Sequence, residues 1–193
     1  MLLIVIMLKK FKRFSDFFHP QKNKISMNFE PVAMVINEKV YQLMPATQAD
    51  VPSLLNLEKA VYHGKTPWSG QTFYSELKKH NRIYLVVYHE STLVGMIGAR
   101  FHPRETHITN LAVNPAYQGQ KIGTWLLKVV IELAKQNASE LVSLEVNINN
   151  TVAKKLYQSL GFESTFIRKN YYRDTHTDAI NMILWLEKGK KEV

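Results

Sequence analysis

The stretch that decides the fold is LAVNPAYQGQKIGT, residues 111–124. A short apolar run ends at an Asn-Pro step, which favours a turn. A loop containing glycine follows, and then a helix rich in Leu and Val. Such a loop presents unpaired N–H groups at a helix N-terminus, where the helix dipole also favours an anion. The stretch therefore predicts a strand, an anion-binding loop and a helix, and it matches neither GxxxxGK[ST] nor GxGxxG.

Length and composition are those of one globular domain. The chain has 193 residues, of which 46% are hydrophobic and 21% charged, enough for a single core. It has no cysteine, which excludes disulfides and a Cys nucleophile and is compatible with the cytoplasm. Its seven histidines show no metal-ligand spacing, so we predict no metal site. The net charge of +9 suits an acidic partner such as a nucleotide cofactor, a ribosome or a membrane surface, although basicity that serves only solubility looks the same.

Residues 1–39 are predicted to lie outside the folded domain, as a disordered extension or as residues upstream of a true start at Met27 or Met34. The first eight residues are all apolar, whereas a membrane-spanning helix needs ~20. Basic residues follow this run instead of preceding it, unlike in a secretory signal. Residues 1–18 could also form a basic amphipathic helix on a membrane surface. We favour the upstream start over that association.

The pattern between residues 40 and 187 predicts a mixed α/β (α+β) sheet of about seven strands with about four helices. Runs of β-branched and aromatic residues predict the strands, and apolar residues at helical spacing predict the helices. The predicted order is one strand, two helices, a three-stranded meander, a helix, a strand, a helix and two strands. Ser69 and Asn150 are predicted helix N-caps, and Gly161 is a predicted C′ residue. Residues 188–193 are predicted to be a charged tail.

Several ordered motifs give this pattern a family resemblance. The segment Gln118-x-x-Lys121-x-Gly123 resembles the pyrophosphate loop of the GNAT acyltransferases, usually Gln/Arg-x-x-Gly-x-Gly/Ala, which binds acetyl-CoA. Residues 144–162, LEVNINNTVAKKLYQSLGF, resemble the second half of the GNAT domain, in particular that of the RimI-type ribosomal-protein-alanine N-acetyltransferases. Three shorter matches fit the same subfamily: PWS at 67–69, RKNYY at 168–172, and Asp178-Ala179 with Met182. The resemblance covers residues 41–186 and implies the GNAT fold.

The resemblance implies that acetyl-CoA is the co-substrate, bound along one strand, one loop and one helix cap. Backbone groups of Leu111, Ala112 and Val113 would contact the pantetheine arm, which adds to an open strand edge as a peptide does. The N–H groups of the loop would hold the pyrophosphate; the loop consists of Gln118, Gly119, Gln120, Lys121, Ile122, Gly123 and Thr124. Asn150 matches the family's Asn that contacts acetyl-CoA.

One loop position departs from the family, because Lys121 stands where the family has its first glycine. If that position is left-handed, a Lys there costs strain. Pairing between Lys121 and a phosphate would offset the strain.

Two residues match the family's proton-transfer pair. Glu145 matches the proton acceptor, and burial between apolar strand neighbours is expected to raise its pKa toward that of a useful base. Tyr157, twelve residues later, matches the general acid, and a phenol can donate a proton to a departing thiolate. A solvent-facing carboxylate and a packing tyrosine are the alternatives for the two residues taken singly, and the match in spacing favours the catalytic interpretation.

The acceptor is also implied by the resemblance. Trp68, Arg168, Tyr171 and Tyr172 are expected to border its site, although Trp68 could equally be a core residue. The expected reaction moves acetyl from acetyl-CoA to the N-terminal α-amine of a protein, by resemblance the alanine of a small-subunit ribosomal protein, in the cytoplasm. We expect direct attack in a ternary complex, since there is no Cys and no evident Ser–His arrangement. Asn147 replaces the subfamily's usual Arg, which bears on the acceptor's identity.

Other functions remain open at this point. One is a GNAT enzyme that acts on lysine or on a small amine. Another is a non-catalytic acyl-CoA-binding module, which Lys121 suggests and the retained Glu145 and Tyr157 oppose. The basic charge alone would suggest nucleic-acid binding, but no recognition motif accompanies it, and we expect none directly.

Overall fold

The computed structural model describes residues 29–186, which form an eight-stranded sheet and four α-helices. The strands are β1 (Val32–Ile36), β2 (Lys39–Pro45), β3 (Arg82–His89), β4 (Thr92–Phe101), β5 (Glu105–Val113), β6 (Leu141–Asn147), β7 (Glu163–Tyr172) and β8 (Thr177–Trp185). The helices are α1 (Val51–Val61), α2 (Gly70–Leu77), α3 (Ile122–Gln136) and α4 (Thr151–Ser159). The predicted mixed sheet with four helices is confirmed, with one strand more than expected.

The additional strand is β1, which forms a hairpin with β2. Asn37 and Glu38 connect the two strands, and both have positive φ, 47° and 63°. A two-residue hairpin turn of this kind is usually signalled by Asn-Gly, and the missing glycine explains why no hairpin was predicted here. The expected domain start at residue 40 therefore falls inside a paired hairpin. Residues 1–28 of the predicted extension and the predicted tail at 188–193 lie outside the described residues.

The sheet order is β1-β2-β3-β4-β5-β6-β8-β7. All neighbours are antiparallel except β5 and β6, which run parallel and are connected through α3. That parallel pair is held by only three residue pairs, of which His107 opposite Ser143 is the last. Beyond it, β5 continues to Val113 and β6 to Asn147 without pairing to each other. A gap therefore opens between the two central strands.

Helices pack against both faces of the sheet, and the two core clusters that they form differ in size. One face packs against α3 and α4 in the larger core cluster, whose members include Leu85, Ile97, Leu126 and Val142. The opposite face packs against α1 and α2 around Phe73 and other residues of the smaller cluster. Within residues 29–186, no helix combines the length and apolar character needed to cross a membrane.

The local signals at helix ends are confirmed. Ser69 Oγ accepts a hydrogen bond from Thr72 N–H at 3.1 Å, and Asn150 Oδ1 accepts one from Ala153 N–H at 3.0 Å. Gly161 follows α4 with φ +90°, a conformation that favours glycine. These caps depend on residues a few positions apart, which is why the sequence reveals them.

Substitution of Gly98 in β4 tests how closely side chains pack on the sheet face that α1 covers. A Cβ atom at this position would lie 2.5 Å from Tyr84 Cζ and 2.8 Å from Thr109 Oγ1. We expect Gly98→Ala to lower the free energy of unfolding by about 1–3 kcal/mol, because the buried ring must shift. Urea unfolding of both proteins measures the difference.

Gly70→Ala is the matched control, because its added Cβ would meet no atom nearer than 3.5 Å. Its stability should stay within about 0.5 kcal/mol of the parent. Equal stability of Gly98→Ala and the parent would contradict the close approach.

Candidate active site

Polar side chains cluster on the sheet face that α1 and α2 leave partly open. Along β6, Val142, Leu144 and Val146 are buried in the core under α3 and α4. Since strand side chains alternate, Ser143 and Glu145 project from the opposite face. They line a cavity of about 290 Å³ together with residues of the neighbouring strands, among them Glu105, His107, Arg168 and Tyr171.

Glu145 is the best-enclosed acid of this cavity, with 8% of its side chain exposed. Its Oε2 lies 3.2 Å from His107 Nε2, and its Oε1 lies 3.2 Å from Arg168 Nε. Burial raises the pKa of Glu145, but the hydrogen bond and charge of His107 and the charge of Arg168 outweigh burial, so its pKa lies below the usual value. The expected upward shift is therefore wrong, and Glu145 is an ionised carboxylate at neutral pH.

A bulge in β7 brings Arg168 and Tyr171 to the same cavity. The register between β7 and β8 shifts between Arg168 and Tyr172, and Asn170 has φ +51°. Asp178 holds the bulge, accepting hydrogen bonds from Asn170 N–H at 2.9 Å and from Lys169 Nζ at 2.8 Å. Because a bulge redirects the side chains that follow it, residues 168 and 171 share a face. The guanidinium carbon of Arg168 lies 6.0 Å from the Tyr171 ring centre.

His107 is fixed from its other side by a hydroxyl. Its Nδ1 lies 2.8 Å from Ser143 Oγ, and Ser143 Oγ–H donates to the Glu105 carboxylate. This Ser–His pair is not visible in the sequence, because its two members lie on different strands. Ser143 is only 3% exposed and its proton is engaged by Glu105, so its hydroxyl is poorly placed to act as a nucleophile.

Tyr157 lies on α4 in the core cluster under α3 and α4, with its ring 5.8 Å from that of Phe162. Burial raises the pKa of Tyr157, and the nearby phenols of Tyr62 and Tyr172 raise it further. Tyr62 follows α1, which packs on the other side of the sheet. The Tyr157 phenol is therefore a neutral O–H group that is buried in the core.

The predicted acetyl-CoA residues surround the same gap. Leu111, Ala112 and Val113 form the end of β5, beyond its last pair with β6. Their backbone groups on that side are not used by the sheet, so an extended chain can pair with this edge as far as Val113 O, which accepts a hydrogen bond from Gln118 Nε2. Asn150 caps α4 with its Oδ1, which leaves its amide NH₂ as the group able to donate to a ligand.

The loop between β5 and α3 fits a pyrophosphate. Gly119 has φ +74°, and Lys121 precedes the 15-residue helix α3 with φ +68° and ψ 7°. Gln118 Nε2 donates to Val113 O at 3.0 Å, and Gln120 Oε1 accepts from Tyr41 O–H at 2.8 Å. The two glutamine side chains thus fasten the loop, while the first N–H groups of α3, from Ile122 to Thr124, have no partner within the helix. Lys121 does adopt the left-handed conformation suspected from the sequence.

Glu58 on α1 is a second enclosed acid and was missed by the sequence analysis. It is fully buried, and its carboxylate accepts hydrogen bonds from Trp68 N–H at 3.0 Å and Asn110 Nδ2 at 3.2 Å. Burial raises its pKa, and the two hydrogen bonds oppose that shift. It ties the loop after α1 to β5, next to Leu111. The Trp68 ring packs 5.3 Å from Phe73 and 5.9 Å from Tyr84, so much of this ring belongs to the core.

Comparison with known proteins agrees with this geometry. The model of the acetyltransferase (GNAT) family matches residues 51–162. This chain belongs to the GNAT family. It is 34% identical over 138 residues to the putative [ribosomal protein bS18]-alanine N-acetyltransferase of Bacillus subtilis, covering 71% of this chain and 89% of that protein. It is 35% identical over 140 residues to the N-alpha-acetyltransferase RimI of Mycobacterium tuberculosis, covering 70% and 87%.

A solved structure is similar over nearly its whole length. The crystal structure of the ribosomal-protein-S18-alanine N-acetyltransferase from Escherichia coli aligns with a TM-score of 0.70 at 28% identity, covering 79% of this chain and 98% of that one. The predicted family and fold are confirmed, and the protein is an acetyltransferase of the GNAT family, whose members use acetyl-CoA.

Lys121 gives the test of the loop. Lys121→Gly removes a side chain from a left-handed position, so we expect unfolding stability to rise by up to about 1 kcal/mol. Acetyl-CoA affinity should stay equal or improve, because backbone N–H groups carry the anion site. Thermal unfolding and titration calorimetry with acetyl-CoA measure the two effects.

Glu90→Gly is the matched control, since Glu90 is exposed, has φ +54° and lies in the β3–β4 turn. It should change stability in the same direction and leave acetyl-CoA affinity untouched. A large loss of affinity in Lys121→Gly alone would instead assign Lys121 to a phosphate.

Proposed function

We propose that this enzyme acetylates the N-terminal α-amine of a protein, and that its acceptor is the N-terminal alanine of a small-subunit ribosomal protein such as bS18. The observation that carries the proposal is the ionised Glu145 on the open sheet face, beside the gap between β5 and β6. The relatives named as ribosomal-protein-alanine N-acetyltransferases support this choice of acceptor. A ribosomal substrate would also place the enzyme in the cytoplasm.

Glu145 would receive the acceptor's proton. Acetyl-CoA, when bound, supplies the acetyl group as a reactive thioester. A terminal α-amine has a reference pKa of roughly 8, so about a tenth of it is neutral at pH 7. An amine nitrogen that forms a bond to a carbonyl carbon becomes much more acidic, and a carboxylate with a low pKa then suffices as its base. The same negative charge attracts an ammonium group into the cavity.

Tyr157 would protonate the departing sulfur. Burial raises the pKa of its phenol, so it holds a proton at neutral pH, where Glu145 is ionised. Its position on α4 at the gap differs from that of Glu145 on the open face, as expected for two groups that act on opposite sides of one carbonyl. Each residue would therefore affect the rate through a different proton transfer.

The acceptor would enter along the open face beyond α1. Arg168 and Tyr171 line the cavity around Glu145, and Tyr172 packs edge-on against Tyr171 with 5.1 Å between ring centres. Glu58 holds the loop that carries Trp68 against Asn110 of β5. A peptide N-terminus is small enough for this cavity, whereas the peptide that follows it would extend along the exposed β7.

A mass-spectrometric assay tests the proposed function. The protein is incubated with acetyl-CoA and with two peptide sets, one with free Ala, Ser or Met N-termini and one with blocked N-termini and internal Lys. Acetylation confined to free N-termini, and strongest for the bS18 N-terminal peptide, is the expected result. Modification of the blocked Lys peptides would overturn the acceptor, and no transfer despite acetyl-CoA binding would favour a small amine or a non-catalytic module.

The same assay tests the substitution of each proton-transfer residue. Glu145→Gln and Tyr157→Phe should each lower kcat by about 10²–10⁴-fold, with acetyl-CoA affinity almost unchanged, because neither residue holds the pyrophosphate. Stopped assays and calorimetry give the two quantities. Loss of acetyl-CoA binding in Tyr157→Phe would assign this phenol to the cofactor site instead.

The same two types of substitution at exposed residues serve as controls. Glu163→Gln on β7 and Tyr74→Phe on α2 alter exposed side chains. Both should retain the parental kcat. A similar loss in either control would indicate a general effect on the fold.

A further inference from the structure

We infer that Glu105, Ser143 and His107 form a positioning chain that directs an N–H of the imidazole at Glu145 and keeps this carboxylate ionised and aimed into the cavity. The inference rests on the proposed role of Glu145 as proton acceptor. His107 acts through Glu145, so it is a positioning residue and not a catalytic one.

The chain is continuous from solvent to the enclosed acid. Glu105 has 42% of its side chain exposed and accepts the hydroxyl proton of Ser143. Ser143 Oγ lies 2.8 Å from His107 Nδ1, and His107 Nε2 lies 3.2 Å from Glu145 Oε2. The other three members are enclosed, with Ser143 3% exposed and the side chains of His107 and Glu145 15% and 8% exposed.

Backbone pairing makes this chain rigid. His107 on β5 and Ser143 on β6 are directly opposite each other in the last residue pair before the strands separate. Glu105 precedes His107 by two positions and therefore lies on the same face of β5. The imidazole is thus held at the edge of the gap by the last place where the two strands are still paired.

Donor and acceptor rules orient the chain toward Glu145. An ionised carboxylate can only accept, and a serine hydroxyl has one proton to donate. Ser143 gives that proton to Glu105, and its oxygen contacts His107 Nδ1. Glu145 only accepts, so the N–H directed at it belongs to Nε2. Each ring nitrogen then faces an oxygen, and rotation of the imidazole would break one of these contacts.

The charges around Glu145 show what His107 adds. Arg168 reaches it from β7, but the Arg168 side chain is 46% exposed and its charge is screened by solvent. The other ionisable groups that line the cavity are Arg100 on β4, His102 in the β4–β5 turn, Glu105 on β5 and Tyr171 on β7. His107 is the only one of the described residues besides Arg168 in a charge contact with Glu145. Removing it leaves burial opposed mainly by a solvated arginine.

The test compares His107→Leu with His107→Gln. Leu removes the donor, whereas Gln keeps an N–H that can reach Glu145. In His107→Leu we expect kcat to fall roughly tenfold to hundredfold through misplacement of the base, with the KM for acetyl-CoA unchanged. Because His107 lowers the pKa of Glu145, its loss should also move the acidic limb of the kcat/KM profile to higher pH, with kcat/KM calculated per neutral amine so that the amine's own titration near pH 8 is removed.

His107→Gln should restore part of kcat and reduce the shift of the acidic limb. Ser143→Ala keeps the imidazole but frees Nδ1, so it should shift the limb in the same direction by a smaller amount. Thermal unfolding confirms that each variant is folded. A parental acidic limb in folded His107→Leu would overturn the inference, as would equal losses in the Leu and Gln variants without any change in pH dependence.

Failure of the proposed acceptor is distinguishable from failure of this inference. The pH profiles can be measured with whichever amine the parent accepts, whether an N-terminus, a lysine or a small amine. If the parent turns over none of them, ¹³C NMR titration of labelled glutamate carboxyls, assigned through Glu145→Gln, gives the same comparison without turnover. Glu145 titrating at the same pH in the parent and in His107→Leu would contradict the inference.

Discussion

Parallel pairing between β5 and β6 stops after three residue pairs, and the site depends on that stop. A continuous pairing to Val113 would use the strand edge that an extended ligand needs and would close the gap. It would also carry the β5–α3 loop and α3 to a different distance from β6. The strands separate while their first three pairs, the α3 crossover and the antiparallel neighbours β4 and β8 hold them in the sheet. Strands β5 and β6 are therefore hydrogen-bonded to their outer neighbours on both sides of the opening, but not to each other across it.

The second constraint is the balance of burial and charge at Glu145. Burial alone would favour a neutral acid, which cannot accept a proton. His107 and Arg168 reverse that preference, so the carboxylate is ready at neutral pH but is a weak base. This combination suits an acceptor whose acidity rises as the reaction proceeds. A strong base would be protonated by solvent before the amine arrives, so the low pKa of Glu145 keeps the site available.

Local patterns in the sequence predicted the parts of the fold that depend on near neighbours. The caps at Ser69 and Asn150 and the glycine at 161 are examples. The β1 hairpin was missed because Asn37-Glu38 lacks the glycine that usually marks such a turn. The alternation of Ser143, Glu145 and Asn147 in an apolar strand is visible in the sequence, but the polar face to which they contribute was not predicted.

Contacts between residues on different strands could not be predicted from the sequence. His107 and Glu145 are 38 positions apart, and nothing local to either shows that β5 pairs with β6 in the observed register. The same missing register concealed the Ser143 contact and led to the wrong sign for the pKa of Glu145, since burial was considered without its partners. Glu58 had a visible signal, because it falls on the apolar stripe of α1 with Leu54 and Leu57, where a charged residue needs a partner.

Glu58 and Glu145 show how one sheet face uses two enclosed acids differently. Glu58 accepts hydrogen bonds only from uncharged groups, the Trp68 N–H and the Asn110 amide, and its pKa is raised. Glu145 faces two basic side chains, and its pKa is lowered. Environments that shift the pKa values of two carboxyl groups in opposite directions favour different roles for the two groups. The neutral partners of Glu58 suit a fixed structural tie between the Trp68 loop and β5, because protonation of Glu58 would leave no unpaired cation behind. The basic partners of Glu145 suit the proton acceptor that we propose, because they favour its ionised form.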